Sequence, residues 1–374
     1  MNKLLILSAT AGAGHVRAAD ALVTTARTLH LPLTIEHRDI LDFTYPIFKK
    51  VYSQVNNTIA GHAPELWGYL YKRAERKGLP KPKHPLLKVF DQFNFKKYLR
   101  FIHDFHPDAV LCTHFLPYLA ITDELKKPSW RIPFYSIPTD YDVHSLWINP
   151  SVKHYFVATD EAAWTVRSYG VGEKNITITG IPVHPEFTSI TSKLKARKSL
   201  GLEAKRLTIM ILSGGYGIGV IDKLVPSILE FLSLFERMKF SVVVVCGRNQ
   251  KLFDTLSLLT PPPNVAFQCY GFVTFIDKLM DASDVLVTKS GGLTVSEALA
   301  KHLPMIIFDP VPGQEGRNAD YINEHGAAMR TSGFANLNFK LKRLIEEPER
   351  LVAMKKYALA IAKPNAAEEI LKYF

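Results

Sequence analysis

Short runs of consecutive apolar residues recur along this chain, and most are followed by small or polar residues and then by helical periodicity. Residues 3–8 predict a first strand, a glycine-rich loop covers 11–14, and a helix runs from about 16 to 29. Further strands are predicted at 33–37, 109–113, 132–137 and 154–158, with a helix from Asp160 to Tyr169. Gly180-Ile181-Pro182-Val183-His184-Pro185 breaks the pattern, and the basic stretch 188–198 reads as a boundary or a connecting helix. A second series starts with a strand at 207–213, a glycine-rich loop at 214–219 and a helix to about 237. Strands at 241–246, 265–269, 284–288 and 304–308 alternate with helices, and the stretch from about Asn338 is helical and charged. Near-continuous apolar strands alternating with helices predict parallel sheets covered on both faces. The fold class is therefore α/β, with two Rossmann-like domains, and ligands of such sheets bind beyond the carboxyl ends of the strands.

One strand end carries more chemistry than the others. The run Asp284 to Thr288 leads into Lys289-Ser290-Gly291-Gly292-Leu293-Thr294, and a helix is expected to start at once. The first backbone N–H groups of a helix have no partner within it, and the helix dipole favours an anion there. A diphosphate fits. Glu297, on the first turn or so, can accept hydrogen bonds from sugar hydroxyls, so the combination points to a nucleotide-sugar site. Loop 214–219, with Gly214 and Gly215, supplies a second phosphate-suited turn in the same half.

The other half offers Ala11-Gly12-Ala13-Gly14-His15 between a strand and a helix. Small residues such as Gly14 allow another molecule close to the backbone, and a neutral His15 imidazole there can take a proton from a hydroxyl nucleophile, unless it only caps or packs. Asp140, in Thr139-Asp140-Tyr141-Asp142-Val143-His144, could orient an acceptor hydroxyl. Asp140, Asp142 and His144 could also ligate a metal, but helix termini and backbone donors are already available to meet phosphate charge, so neither a metal nor a cofactor is expected. Gln314 and Glu315, in the loop after strand 304–308, can either hydrogen-bond hexose hydroxyls or form a polar surface turn.

At 374 residues, 47% hydrophobic and 22% charged, the chain is globular and long enough for two domains. No apolar run approaches the roughly 18–20 residues that span a bilayer, and the start is expected to be a buried strand, not a signal peptide. Cys112, Cys246 and Cys269 show neither disulfide nor metal spacing, which fits a reducing cytoplasm. The net charge of +11 is concentrated: residues 49–100 hold twelve Lys and Arg against three acids. Phe48, Tyr52, Trp67, Tyr69, Tyr71, Phe90, Phe93, Phe95 and Tyr98 are interleaved with those cations. That mixture suits anionic lipid headgroups, the plainer alternative being a solvated helical insertion whose aromatics are core. With no zinc spacing, RNP motif or helix-turn-helix pattern, nucleic acid is not expected as a partner.

Taken in order, several motifs resemble one family. They are Gly12-Ala13-Gly14-His15-Val16-Arg17-Ala18-Ala19, Thr139 to Trp147, Gly180-Ile181-Pro182-Val183, Val244 to Asn249, Gly271-Phe272-Val273, Thr288 to Thr294 and Pro312 to Glu315. The chain resembles the processive diacylglycerol glucosyltransferases of bacteria and the related plant monogalactosyldiacylglycerol synthases, which are inverting enzymes of GT-B architecture, two domains facing a cleft. The resemblance implies a catalytic His15, ribose contact by Glu297, Gln314 and Glu315 at the donor sugar, and uracil against the backbone of Gly271, Phe272 and Val273. His184 stands where the family often carries arginine. Residues 1–186 would bind the lipid acceptor and 187–374 the UDP-sugar, the last helix packing back on the first domain. Gly14 and His144 are the acceptor candidates, and Asp140 assists His15. The expected partners are UDP-glucose or UDP-galactose as co-substrate, diacylglycerol and anionic membrane lipids, at the cytoplasmic face of the cell membrane. Other readings on the same architecture are a UDP-N-acetylglucosamine 2-epimerase, a peptidoglycan-type lipid-linked N-acetylglucosaminyltransferase and a non-catalytic UDP-sugar sensor. Charge reversal of several lysines in 72–97 distinguishes the lipid enzyme, which should lose vesicle binding, from an epimerase, which should not; a sensor would bind UDP-glucose without turnover.

Overall fold

A computed structural model describes residues 2–10, 12–44, 49, 95–212, 214, 220–308 and 310–374. The basic aromatic stretch therefore lies outside the described residues except for Lys49 and 95–100, as do Ala11 and most of loop 214–219, including Gly215. The chain forms two compact units, one of residues 1–185, 312–314 and 365–374 and one of residues 186–311 and 315–364.

In the first unit the described elements are β1 (Lys3–Ser8), α1 (Ala13–Thr28), β2 (Thr34–Asp39), α2 (Phe95–Phe105), β3 (Ala109–Cys112), α3 (Leu116–Ala120), α4 (Thr122–Leu125), β4 (Phe134–Ser136), β5 (Val152–Val157), α5 (Asp160–Ser168) and β6 (Ile176–Ile178). Its six strands are all parallel, in the order β2-β1-β3-β4-β5-β6. The chain reverses its direction of travel across this sheet between β1 and β3, which pair as Leu4↔Ala109 through Leu7↔Cys112. Leu4, Leu5, Ile6 and Leu7 are fully buried, as expected of a strand covered on both faces. The last helix of the chain, α14 (Ala366–Leu371), belongs to this unit, and Ala367, Ile370 and Leu371 join Leu4, Ile6, Ala19 and Leu22 in one core layer.

The second unit continues with α6 (Lys193–Ser199), β7 (Leu207–Leu212), α7 (Ile221–Ser233), β8 (Phe240–Val245), α8 (Gln250–Ser257), β9 (Val265–Tyr270), α9 (Ile276–Ala282), β10 (Val285–Thr288), α10 (Gly292–Ala300), β11 (Met305–Ile307), α11 (Gln314–Glu324), β12 (Ala328–Arg330), α12 (Phe334–Glu346) and α13 (Pro348–Ile361). Its sheet order, β12-β11-β10-β7-β8-β9, is that of a dinucleotide-binding fold, with the reversal between β7 and β10. Those two strands pair as Val285↔Ile209 through Thr288↔Leu212, so both end at the same point of the sheet edge.

Three differences from the sequence reading have physical causes. The edge strands β6 and β12 were not expected: each is three residues long and partly exposed, too short to show a periodicity. Tyr98, grouped above with lipid-facing aromatics, is 2% exposed and packs against Phe43 in the core, so α2 turns its apolar face inward. Cys246 and Cys269, far apart in sequence, lie beside each other with 3.7 Å between their sulfurs because β8 and β9 are neighbours.

Asp284 locks the start of the second sheet. Its Oδ2 accepts from Arg197 Nη2 at 2.6 Å and from the Thr208 N–H at 2.7 Å, while Lys193 donates to Oδ1. The Arg197 guanidinium is buried and also donates to the carbonyls of Ala282 and Ala204. Asp284→Ala would strand that cation in the interior, at a cost of about 3 kcal/mol, read as a lower urea midpoint. Lys193→Met, which removes an exposed charge, should cost under about 1 kcal/mol.

Candidate active site

Both reversal points carry the residues that the sequence singled out. In the first unit β1 delivers the chain into α1, whose third residue is His15. The helix starts at Ala13, earlier than the periodicity indicated, so Gly14 and His15 both lie in its first turn, half-buried. Beside it β3 ends at Cys112 and delivers Thr113 and His114. His15 Nδ1 lies 2.9 Å from the Thr113 carbonyl and 2.8 Å from Thr139 Oγ1. A carbonyl can only accept, so Nδ1 carries the hydrogen and Nε2 keeps its lone pair. Thr113 Oγ1 in turn donates to the His15 carbonyl at 2.9 Å, which fixes the helix turn as well as the ring.

The ring is walled by aromatics. His114 meets it edge-on with centroids 4.6 Å apart, and Trp147 stands 6.2 Å away. Burial lowers the His15 pKa to about 4, the Thr113 hydrogen bond opposing it only in part. Burial also holds the His114 pKa well below the usual histidine range, with the charge of His15 adding to the shift. His114 Nδ1 accepts from the Leu116 N–H at 3.1 Å. The result is an imidazole that is neutral near pH 7, with one nitrogen fixed and the other a base.

Other predicted residues of this unit fall out differently. Asp140 is half-buried in the turn after β4. His144 is 3% exposed, and its Nδ1 accepts from the Leu146 N–H at 3.2 Å, capping the short helical turn Ser145–Trp147. That bond gives His144 a structural task in this turn. Asp142 takes the Val143 N–H at 2.7 Å and the Thr165 hydroxyl at 3.1 Å, bonds that hold its loop to α5. Among the described residues no group of three His, Cys, Asp or Glu is placed to hold a metal.

In the second unit Gly291 precedes α10, and the helical ladder opens with the Val295 N–H on the Gly291 carbonyl at 3.0 Å. The N–H groups of Gly292, Leu293 and Thr294 come before it, and among the described residues no side chain caps them. The turn is fastened from α11: Ser290 Oγ donates to the Glu315 carbonyl at 2.5 Å and Asn318 Nδ2 to the Ser290 carbonyl at 2.9 Å. Ser290 thereby ties the turn to α11. Glu297 lies on the second turn of α10, not the first, and is 2% exposed. Gln314 and Glu315 open α11 and so do not lie in a loop; Gly313, with φ of 104°, makes the turn into it. Glu315 Oε2 accepts from the Val311 N–H at 2.7 Å, and its other oxygen would stand 3.9 Å from a Cβ placed on Gly291. Gln314, Glu315 and the 290–294 turn all lie beyond the carboxyl ends of neighbouring strands β10 and β11.

Gly214, just past β7, has φ of 61°, a left-handed conformation that favours glycine. Gly271, Phe272 and Val273 follow β9, two strands from the reversal point. Phe272 is 60% exposed, and Arg248 lies 5.3 Å over its ring. Thr113, Thr139, His114 and Asn318 were not anticipated. Thr113 and Thr139 stand 98 and 124 positions from His15, and nothing in local spacing announces such partners.

Comparison with known proteins follows the same division. Residues 15–183 match the family model described as monogalactosyldiacylglycerol (MGDG) synthase, and residues 208–370 match the glycosyltransferase family 28 C-terminal domain. A processive diacylglycerol beta-glucosyltransferase of Bacillus cereus (strain AH187) is 32% identical over 379 residues, covering 99% of this chain and 92% of the relative. The protein of that name from Bacillus cytotoxicus is 30% identical over 377 residues, with the same coverage of 99% and 92%. Among solved structures, Acinetobacter baumannii MurG superposes with a TM-score of 0.66 at 17% identity, covering 100% of this chain and 99% of that one. The UDP-GlcNAc 2-epimerase of Neisseria meningitidis bound to UDP-GlcNAc gives 0.62 at 18% identity, covering 100% and 99%. At such identities the structural likeness shows the shared fold and nothing further.

The depressed His15 pKa has a measurable consequence. The unfolded chain takes up this proton near 6.5 and the folded one near 4, so His15 costs stability as pH falls through that interval. An NMR titration should place the His15 midpoint near 4, and His15→Gln should flatten the pH dependence of the urea midpoint between 4 and 6.5. A midpoint at 6.5 would show a ring that is open to water.

Proposed function

Since the chain belongs to the diacylglycerol glycosyltransferase family that joins a monogalactosyldiacylglycerol-synthase domain to a family 28 C-terminal domain, we propose that it moves a hexose from a UDP-sugar to diacylglycerol. The observation that carries this reading is the match over 99% of the chain to proteins named for that reaction. Both units have the Rossmann-like build of GT-B glycosyltransferases. The names of the relatives favour glucose over galactose as the sugar.

In the mechanism that we assign, the acceptor hydroxyl oxygen attacks the anomeric carbon of the hexose. The bond from that carbon to the β-phosphate oxygen breaks with inversion, and UDP leaves. Nε2 of His15 takes the hydroxyl proton. What supports this role is the Nδ1 bond to the Thr113 carbonyl, which leaves a lone pair at the other nitrogen. Asp140 would orient the acceptor hydroxyl. The negative charge that grows on the diphosphate would be met by the amides of Gly292, Leu293 and Thr294 and by the dipole of α10. Fixed amides suit this task because they need no reorganisation as charge develops. Glu297 would accept from the ribose hydroxyls, and Gln314 and Glu315 would hold the hexose. Gly271 to Val273 would line the uracil, and Phe272 is exposed there.

We also place the enzyme at the cytoplasmic face of the membrane as a peripheral protein. No described helix is long and apolar enough to cross a bilayer. Net charge is concentrated in 49–100, as anionic headgroups would require.

Vesicles containing diacylglycerol, offered with UDP-glucose, UDP-galactose and UDP-N-acetylglucosamine in turn, should yield a glycolipid, fastest with UDP-glucose. His15→Gln should lower kcat by about 10²–10⁴-fold with UDP binding retained. Glu297→Gln should chiefly raise the KM for the UDP-sugar. Hydrolysis or epimerisation of the nucleotide sugar with no glycolipid would refute the assignment.

A further inference from the structure

Resting on the reading of His15 as the base, we propose that Asp39 is a positioning residue that sets, through Thr10, where α1 begins and hence where His15 stands. β1 ends at Ser8 and α1 starts at Ala13, so a very short connection turns the chain out of the sheet. Ala9, Ala11 and Gly12 have no side chain that could fasten it. α1 likewise has no side-chain cap among the described residues. Among the described residues, the carboxyl end of β2 supplies fixing contacts to this connection.

Asp39 is the register partner of Ser8, which places its carboxylate beside the first residues of the connection. Its Oδ2 accepts from the Thr10 hydroxyl, and its Oδ1 accepts from the Thr10 N–H at 3.3 Å. Asp39 is itself held: Oδ1 takes the Leu41 N–H at 3.0 Å, Lys49 Nζ lies 3.2 Å from Oδ2, and the side chain is 12% exposed. Bonds to an ionised carboxylate are roughly twice as strong as neutral ones, and two from one residue fix direction as well as distance. A second tether lies on the same strand. Ser8 Oγ is 2.9 Å from His37 Nε2, and His37 Nδ1 is 3.1 Å from Asp20 Oδ1 on α1. Ser8, His37 and Asp20 have the order of a nucleophilic triad, but Ser8 is 0% exposed and no substrate can reach it. They join β1, β2 and α1 instead. β2 thus holds the end of β1 at Ser8 and the connection at Thr10.

The base needs this clamp for a physical reason. His15 depends on Thr113 and Thr139, which belong to other strand ends, so its ring keeps its geometry only if α1 enters at a fixed place. A displacement of about 1 Å at a reacting group can cost on the order of 10²-fold in rate. His114 is an ionisable ring neighbour of His15, whereas Asp39 faces Lys49, and Asp42 shares that lysine. The link shown between Asp39 and the start of α1 is the pair of bonds to Thr10, so removing the Asp39 charge is expected to act on His15 through position.

Thr10→Val keeps the shape and removes the hydroxyl, and Asp39→Asn keeps the shape and removes the charge. Both should lower kcat by about tenfold or more while the KM for the UDP-sugar stays within about twofold. The His15 NMR titration midpoint should move up from about 4 toward 6.5 as the ring gains access to water. Thr10→Ser should restore kcat to within about twofold of the parent protein. Should Asp39→Asn fail to fold, Thr10→Val carries the test alone. A purely structural Asp39 would lower Tm with kcat and the His15 midpoint unmoved, and that result overturns the proposal. The midpoint is read without turnover, which separates the two claims. If it moves in Thr10→Val while His15→Gln keeps full activity, the base assignment is wrong and the positioning stands.

Discussion

In a parallel sheet every strand ends at the same edge, and that constraint organises everything of chemical interest in this protein. A strand that ends there must turn into a helix, and the helix presents unpaired N–H groups at its start. Most such turns are crowded by the next crossover. Where the winding reverses, between β1 and β3 and again between β7 and β10, adjacent crossovers leave in opposite directions and a gap remains. His15 with Thr113 occupies the first gap, and the start of α10 occupies the second. The two units share a topology principle and place different groups there: one fixes an imidazole between aromatic walls, the other sets the start of a helix at the sheet edge.

Polar residues of the site divide into those that touch chemistry and those that hold the scaffold. Ser290 and Asp142 look like ligand contacts in a sequence, and in the structure their side chains also tie neighbouring turns together. His144 is similar, a cap for a helical turn. Among the described residues no side chain caps the start of α10, and the Nδ1 bond of His15 to the Thr113 carbonyl leaves the lone pair on its other nitrogen. In a low-dielectric setting such preorganised groups act strongly because nothing has to move to engage them.

Asp39 extends that logic one step outward. An imidazole whose pKa is lowered to about 4 by burial is sensitive to small shifts of the residues around it, so its supporting contacts matter as much as its own bonds. The half-exposed edge strand β2 contributes little to the core, yet it carries the carboxylate that fastens the loop ahead of α1.

Much of the architecture could be read from residue order. Apolar runs such as Ile209–Leu212 and Val242–Val245 are unambiguous because a strand buried on both faces must be apolar throughout. The Ser-Gly-Gly turn and the Gly-rich turn before His15 were legible for a related reason, since close backbone approach needs small residues in a fixed local order. Short edge strands such as β12 left no such mark, because half-exposed three-residue segments have no characteristic pattern. The first turn of a helix is equally hard to place, which is why Glu297 and Gln314 shifted by a turn or changed element. Strand order was out of reach, and with it the pairing of β1 with β3 that brings Thr113 to His15 and of β8 with β9 that brings Cys246 to Cys269. Local sequence encodes contacts made within a few residues; contacts between distant segments arise from how the sheet is wound, and the tautomer and lowered pKa of His15 belong to that second class.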